Sequence, residues 1–136
     1  MTETETESEI RGAIAASRVA LQDGDPAALD KLLSDRAGCV YIGTDPDEWS
    51  DRAQMLSGIS EALTGDDGPL RTELGDISVH VRGDVGWTEG TAKFIAPDGT
   101  ECPCRITSVC VYEDGAWKVA QTHASIGVPN ADMFRR

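Results

Sequence analysis

Basic residues are scarce in this chain. Twelve lysines and arginines stand against 24 aspartates and glutamates, a net charge of −12, and only three of the twelve are lysine. Nucleic-acid phosphates would be repelled, and anionic membrane surfaces are disfavoured for the same reason. Long apolar runs are missing too. No stretch approaches the roughly 20 residues that span a bilayer. The opening MTETETESE has neither the basic nor the apolar region of a secretory leader, so a cytoplasmic location is expected. Histidine occurs twice and cysteine four times. Cys102-Pro103-Cys104 is not a CxxC redox pair, and two histidines leave zinc short of its usual ligands. Reduced structural thiols, no metal and no cofactor are therefore expected.

What is present suits one folded unit. With 136 residues, 40% of them hydrophobic, the chain can bury a real core as a single domain without repeats. Residues 1–9 read as a flexible acidic tail, 10–129 as the domain and 130–136 as a C-terminal tail. Ile10, Ala13, Ile14, Ser17, Ala20 and Leu21 fall at helical spacing, and Asp23-Gly24 ends that helix. Asp25 and Pro26 start a short second helix with Leu29, Leu32 and Leu33 on its buried side. GCVYIG, residues 38–43, reads as a strand, and TDPDEW turns the chain into a third helix over about residues 50–63 carrying Met55, Leu56, Ile59 and Leu63. TGDDGP is a loop. Four long strands then cover 71–82, 85–96, 101–112 and 117–128, separated by Gly83-Asp84, Pro97-Asp98-Gly99 and Glu113-Asp114-Gly115. Helices followed by an antiparallel meander make an α+β fold, and a sheet curled around its helices would form a cone with an open end.

The last hairpin, VCVYEDGAWKV, sets which side chains point inward. A two-residue Asp114-Gly115 turn would pair Tyr112 with Trp117. A three-residue loop with a bulge would pair Val111 with Trp117, Val109 with Val119, Thr107 with Gln121 and Arg105 with His123. The second is favoured because it gathers Val109, Val111, Trp117 and Val119 on one buried face. Ile106, Ser108, Cys110 and Tyr112, with Lys118, Ala120, Thr122 and Ala124, would then form the outer face.

On that register Trp117 and Val119 share a face with Gln121, His123 and Ser125, so the strand passes from an apolar floor to a polar mouth. Arg105, Thr107, Gln121, His123 and Ser125 are then candidate pocket residues of the kind that bind a small molecule. His123 is the candidate for moving a proton and Arg105 for holding an oxygen. A lone strand histidine is also commonly structural, and Arg105 could simply bridge to Glu89 or Glu101. The segment YIGTDPDEW supplies Tyr41 and Trp49 as ligand-contacting candidates and Asp45 as a base whose pKa desolvation would raise. Asp45 and Asp47 equally fit turn residues bonded to nearby backbone N–H groups, and Trp49 is expected to be buried on either reading.

The order of elements, together with YIGTDPDEW, Arg105-Ile106-Thr107 and the run from Trp117-Lys118-Val119 to His123-Ala124-Ser125, resembles the SnoaL-like branch of the NTF2-like superfamily. The resemblance implies a cone-shaped α+β barrel, three N-terminal helices packed on a curved antiparallel sheet, with a pocket at the wide end. It implies a small-molecule ligand, homodimers through the outer sheet face, and isomerase, cyclase or dehydratase chemistry in some members and none in others. Asp45 matches the position of the ketosteroid isomerase base. The first helix has no tyrosine, and Val109 stands where those isomerases place a second acid, so steroid isomerisation is not implied. The expectations are an acid–base enzyme using His123 or Asp45, or else a non-catalytic ligand-binding or homodimerisation domain.

Overall fold

The computed structural model describes residues 2–36, 38–58, 64–65, 68–69 and 71–135. The first helix, α1, runs Glu3–Asp23. The acidic stretch expected as a flexible tail is therefore helical from Glu3. Its start is held by a capping box: the Glu5 N–H donates to the Thr2 hydroxyl at 3.1 Å, and the Thr2 N–H donates to the Glu5 carboxylate at 3.3 Å. Gly24, left-handed at φ 63°, closes the helix by donating to the Ala20 and Leu21 carbonyls. Helix α2, Pro26–Leu32, is capped by the Asp25 side chain, with proline in its first turn as expected.

Strand β1 (Val40–Ile42) turns back on β2 (Trp49–Asp51), and α3 (Arg52–Gly58) follows at once. Helix α3 was expected from residue 50, but Ser50 and Asp51 pair with Tyr41 and Val40 instead. Ile59 and Leu63, assigned to the same helix, lie outside the described residues. Within TGDDGP the pieces β3 (Thr64–Gly65) and β4 (Gly68–Pro69) pair antiparallel rather than forming a plain loop. The meander is β5 (Arg71–Arg82), β6 (Val85–Ile95), β7 (Glu101–Glu113) and β8 (Ala116–Ser125), close to the expected spans. The six-stranded sheet has the order β2-β1-β8-β7-β6-β5, with β1 parallel to β8 and every other pair antiparallel.

Helix α1 lies across one face of this curved sheet, against β5 and β8. Ile10, Ile14 and Ala20 meet Leu29 and Leu33 of the α2 segment and Cys110, Trp117 and Val119 of the sheet. Burying each larger side chain stabilises the fold by about 1.5–3 kcal/mol. The helix approaches closely because Gly86 has no side chain: a Cβ there would meet the Ile10 Cδ1 at 2.6 Å. Opposite Gly90 the β5 register slips between Leu74 and Ile77, and such a bulge bends a strand.

The β7–β8 hairpin corrects the expected register. Asp114 (φ 54°) and Gly115 (φ 80°) form a two-residue left-handed turn, so Tyr112 pairs with Trp117 and Glu113 with Ala116. This turn matches the right-handed twist of the strands. The pairing continues to Cys110 with Val119, then slips, and Val109 faces Gln121. Ala120 is the extra residue of a β-bulge. Trp117 and Val119 are inside, and because of the bulge it is Thr122 and Ala124, not Gln121 and His123, that are buried beyond them. Ile106, Ser108, Cys110, Ala120, Thr122 and Ala124, expected outside, face the helices; Val109 and Arg105, expected inside, do not. The turn register keeps Arg105 in water while burying the Cys104 and Cys110 thiols and Ile106, and the bulge keeps His123 in water while burying Thr122 and Ala124, the cheaper arrangement by desolvation.

Candidate functional site

The polar group expected on the last two strands does assemble, but on the outer face. Thr107 pairs with His123, Arg105 with Ser125 and Val109 with Gln121. Arg105, Thr107 and His123 are exposed, and Gln121 and Ser125 half-buried. The expectation that Arg105 and His123 share the hollow under the helices is overturned, for Arg105 by the two-residue turn that sets Cys110 opposite Val119 and for His123 by the Ala120 bulge. Trp49, expected buried, is 69% exposed, because it pairs with Ile42 on the same outer face as His123. Asp45 is exposed in the β1–β2 turn, where its carboxylate accepts from the Asp47 N–H at 3.0 Å. That is the turn role anticipated for it. Of the expected residues, Tyr41 faces inward and lines a hollow.

That hollow lies between α1, the α2 segment, α3, β1 and β8. Its apolar walls are Leu21, Leu29, Leu33, Met55 and Val119, and its polar lining includes Ser17, Arg18, Tyr41 and Thr122. It is small: the space open to a water's centre is about 10 Å³, room for about one molecule. Ser17 is satisfied by donating to the Ile14 carbonyl at 2.7 Å.

Arg18 is not satisfied. It is only 4% exposed, and its Nε and Nη1 have no hydrogen-bond partner among the described residues. Nη2 reaches the Thr72 hydroxyl at 3.5 Å, the limit of a hydrogen bond. The guanidinium carbon sits 5.9 Å from the centroid of the Tyr41 ring, a cation–π contact that covers a face and leaves the N–H edges open. A guanidinium carries five N–H donors in a fixed fork, suited to a planar oxyanion.

An acid that feels the charge of this cation is Glu48. In the β1–β2 hairpin the Gly43 N–H donates to the Glu48 carbonyl at 2.8 Å, one step beyond the Ile42–Trp49 pair. Alternation therefore puts position 48 on the inward side with Tyr41. The carboxylate takes the space that a side chain at Gly43 would need. Desolvation raises the Glu48 pKa and the Asp45 charge raises it further, while an Asp45 hydrogen bond and the Arg18 charge pull the other way. Glu48 is still open to solvent. An undersatisfied guanidinium thus lines an apolar hollow, and an exposed carboxyl with a raised pKa lies within its electrostatic reach, groups able to orient an oxygen and to exchange a proton.

Both residues were missed from sequence for traceable reasons. Arg18 is four residues after Ile14 and three before Leu21, squarely on the buried stripe, so a charge there was a readable signal. Glu48 is inward only because the hairpin pairs it with Gly43, and Asp45 looked the better acid without that pairing. The thiols are free among the described residues. Burial raises the pKa of Cys39 and Cys104 and pushes Cys110 up to about 12, so none of these three is a ready nucleophile.

Comparison with known proteins agrees with this architecture. The chain matches the family model of the SnoaL-like domain over residues 10–129. No curated protein matches it. An NTF2-like protein of unknown function from Pseudomonas putida KT2440 superposes with a TM-score of 0.78 at 21% identity, covering 96% of this chain and 92% of that one. A conjectured dehydratase of the NTF2-like family from Streptomyces avermitilis gives 0.75 at 20% identity, over 94% and 100% of the two chains. A conjectured calcium/calmodulin dependent protein kinase II association domain from Xanthomonas campestris gives 0.69 at 21% identity, over 90% and 87%. At such identities the likeness is one of fold.

Proposed function

The chain belongs to the SnoaL-like domain family of the NTF2-like superfamily, and from that premise we propose that its hollow is a small-molecule pocket serving acid–base chemistry. Arg18 fixes an oxygen of the ligand, and Glu48 takes or gives the proton. The observation that carries this reading is the burial of Arg18 with two open nitrogens among the described residues. A buried cation without a partner destabilises a fold by several kcal/mol, and a bound oxygen would offset that. The apolar walls suit a small, partly apolar substrate of the isomerase, cyclase or dehydratase type. Glu48 supports the acid–base part because desolvation and the Asp45 charge raise its proton affinity against the pull of Arg18.

The test is solvent exchange. Small ketones and esters in deuterated buffer would be followed by NMR for loss of the α-proton with wild-type protein and Glu48→Gln. The variant is expected to exchange at least ~100-fold more slowly with unchanged binding. Compounds that bind without exchanging in either protein would reduce the pocket to a binding site.

A second reading, association of two copies through the outer sheet face, is favoured by a different observation. Trp49, Val85 and Trp87 on that face are between 41% and 69% exposed, more large apolar surface than an isolated sheet needs. The two readings are compatible, since one uses the inside of the sheet and the other its outside.

A further inference from the structure

We infer that the hollow beside Arg18 is built for a monoanionic carboxylate carried on a small apolar body. This rests on the small-molecule reading above and adds the charge and shape of the ligand. Among the described residues no carboxylate lies within ion-pair distance of Arg18, whose only hydrogen bond is the long one to Thr72. With Nη2 engaged through one of its two protons, one edge of the guanidinium plane still offers a complete pair of donors. A carboxylate accepts such a pair as a bidentate fork.

Charge sets the valence. One guanidinium lines the hollow, the exposed Glu48 interacts electrostatically with both it and Asp45, and the chain as a whole carries −12. A dianion would leave one charge uncompensated in a buried place, which is strongly unfavourable. A neutral amide or alcohol would leave the guanidinium unpaired. Size and polarity set the rest. The hollow as it stands holds about one water, room for one carboxylate oxygen, so the second oxygen and the body of the ligand enter only as the lining yields. Leu21, Leu29 and Met55 would meet the body of the ligand, and the unbranched, three-torsion Met55 is the wall able to yield.

The experiment is a titration of the full chain with sodium butyrate and sodium benzoate, against butyramide, benzamide and inorganic phosphate, by calorimetry. Both acids are expected to saturate, with the amides and phosphate at least ~10-fold weaker. Arg18→Gln is expected to weaken the acids at least ~10-fold and to abolish their preference over the amides, with folding checked by circular dichroism. If Arg18→Gln does not fold, Arg18→Lys keeps the charge without the fork and should lose most of the affinity for the acids. Amides binding as tightly as acids, or phosphate more tightly, would overturn the carboxylate assignment and leave the pocket reading standing. No binding by any of these probes would overturn both.

Discussion

Arg18 and Glu48 are single side chains whose surroundings act against their charged forms, and each gives a measurable consequence. If Arg18 exists for a ligand, replacing it by an apolar residue of similar length removes a buried unpaired charge. Arg18→Met is expected to raise stability by about 1–4 kcal/mol in urea denaturation; a loss of stability would mean that the Thr72 and Tyr41 contacts are what the residue is for. For Glu48 the sign follows from desolvation, with Asp45 adding to it, both raising the folded-state pKa above the ordinary 4.5. The folded chain then holds this proton more tightly than the unfolded chain. The stability it contributes is full at low pH and is lost as pH rises from the ordinary value through the raised one. Glu48→Gln should flatten that part of the curve of Tm against pH and be the more stable protein at pH 7. Gly43→Ala tests the same acid by shape, since the new methyl would collide with the carboxylate and displace it from the inner face.

Among the elements, the β7–β8 hairpin decided which residues are inside. The turn explains half of it: Asp114 and Gly115 both have positive φ, and a β-branched residue is strained there. Gly115→Val is expected to destabilise by about 1–2 kcal/mol, seen as a lower urea midpoint with an unchanged m-value. The other half is the bulge at Ala120, and here the sequence was silent. The strands of the meander, the α2 cap and the separating turns were legible because glycine, proline and aspartate mark them by backbone chemistry. A bulge leaves no such mark when the extra residue is alanine, and a slip of one residue exchanges the two faces of everything beyond it. Trp117 and Val119 were therefore read correctly as core, and Gln121, His123 and Ser125 were assigned to the wrong side by the same alternation. Deleting Ala120 joins Val119 directly to Gln121, so plain alternation then keeps Gln121 and His123 outside with the same partners, and a cooperative unfolding transition by circular dichroism is expected to persist. Loss of that transition would mean that the burial of Ala120 itself, rather than the register, is what the strand needs.

For the molecule as a whole, the outer sheet face and the charge pull in opposite directions. Val40, Gln121, Val109 and Trp87 follow one another across β1, β8, β7 and β6, and Trp49, Ile42, His123 and Thr107 form the neighbouring row. His80 stacks on Trp87 at 5.6 Å and meets the Glu89 carboxylate at 2.8 Å, so this edge of the face is already ordered. Seating a second copy there would bury two tryptophans per chain, each with 150–250 Å² of surface by the usual size of aromatic side chains. Against it stands the repulsion of two chains of −12 each, which salt screens over about 10 Å at 0.1 M. The association is therefore expected to tighten with added salt, the reverse of one held by ion pairs. Light scattering at micromolar concentration should give twice the 14.5 kDa of the chain in 0.3 M salt, with monomer growing as salt is withdrawn. Trp87→Arg should yield monomer throughout, its thermal midpoint little changed because the residue is already 41% exposed within a single copy. A wild-type protein that stays monomeric at every salt concentration would remove the association reading and leave the inner hollow untouched.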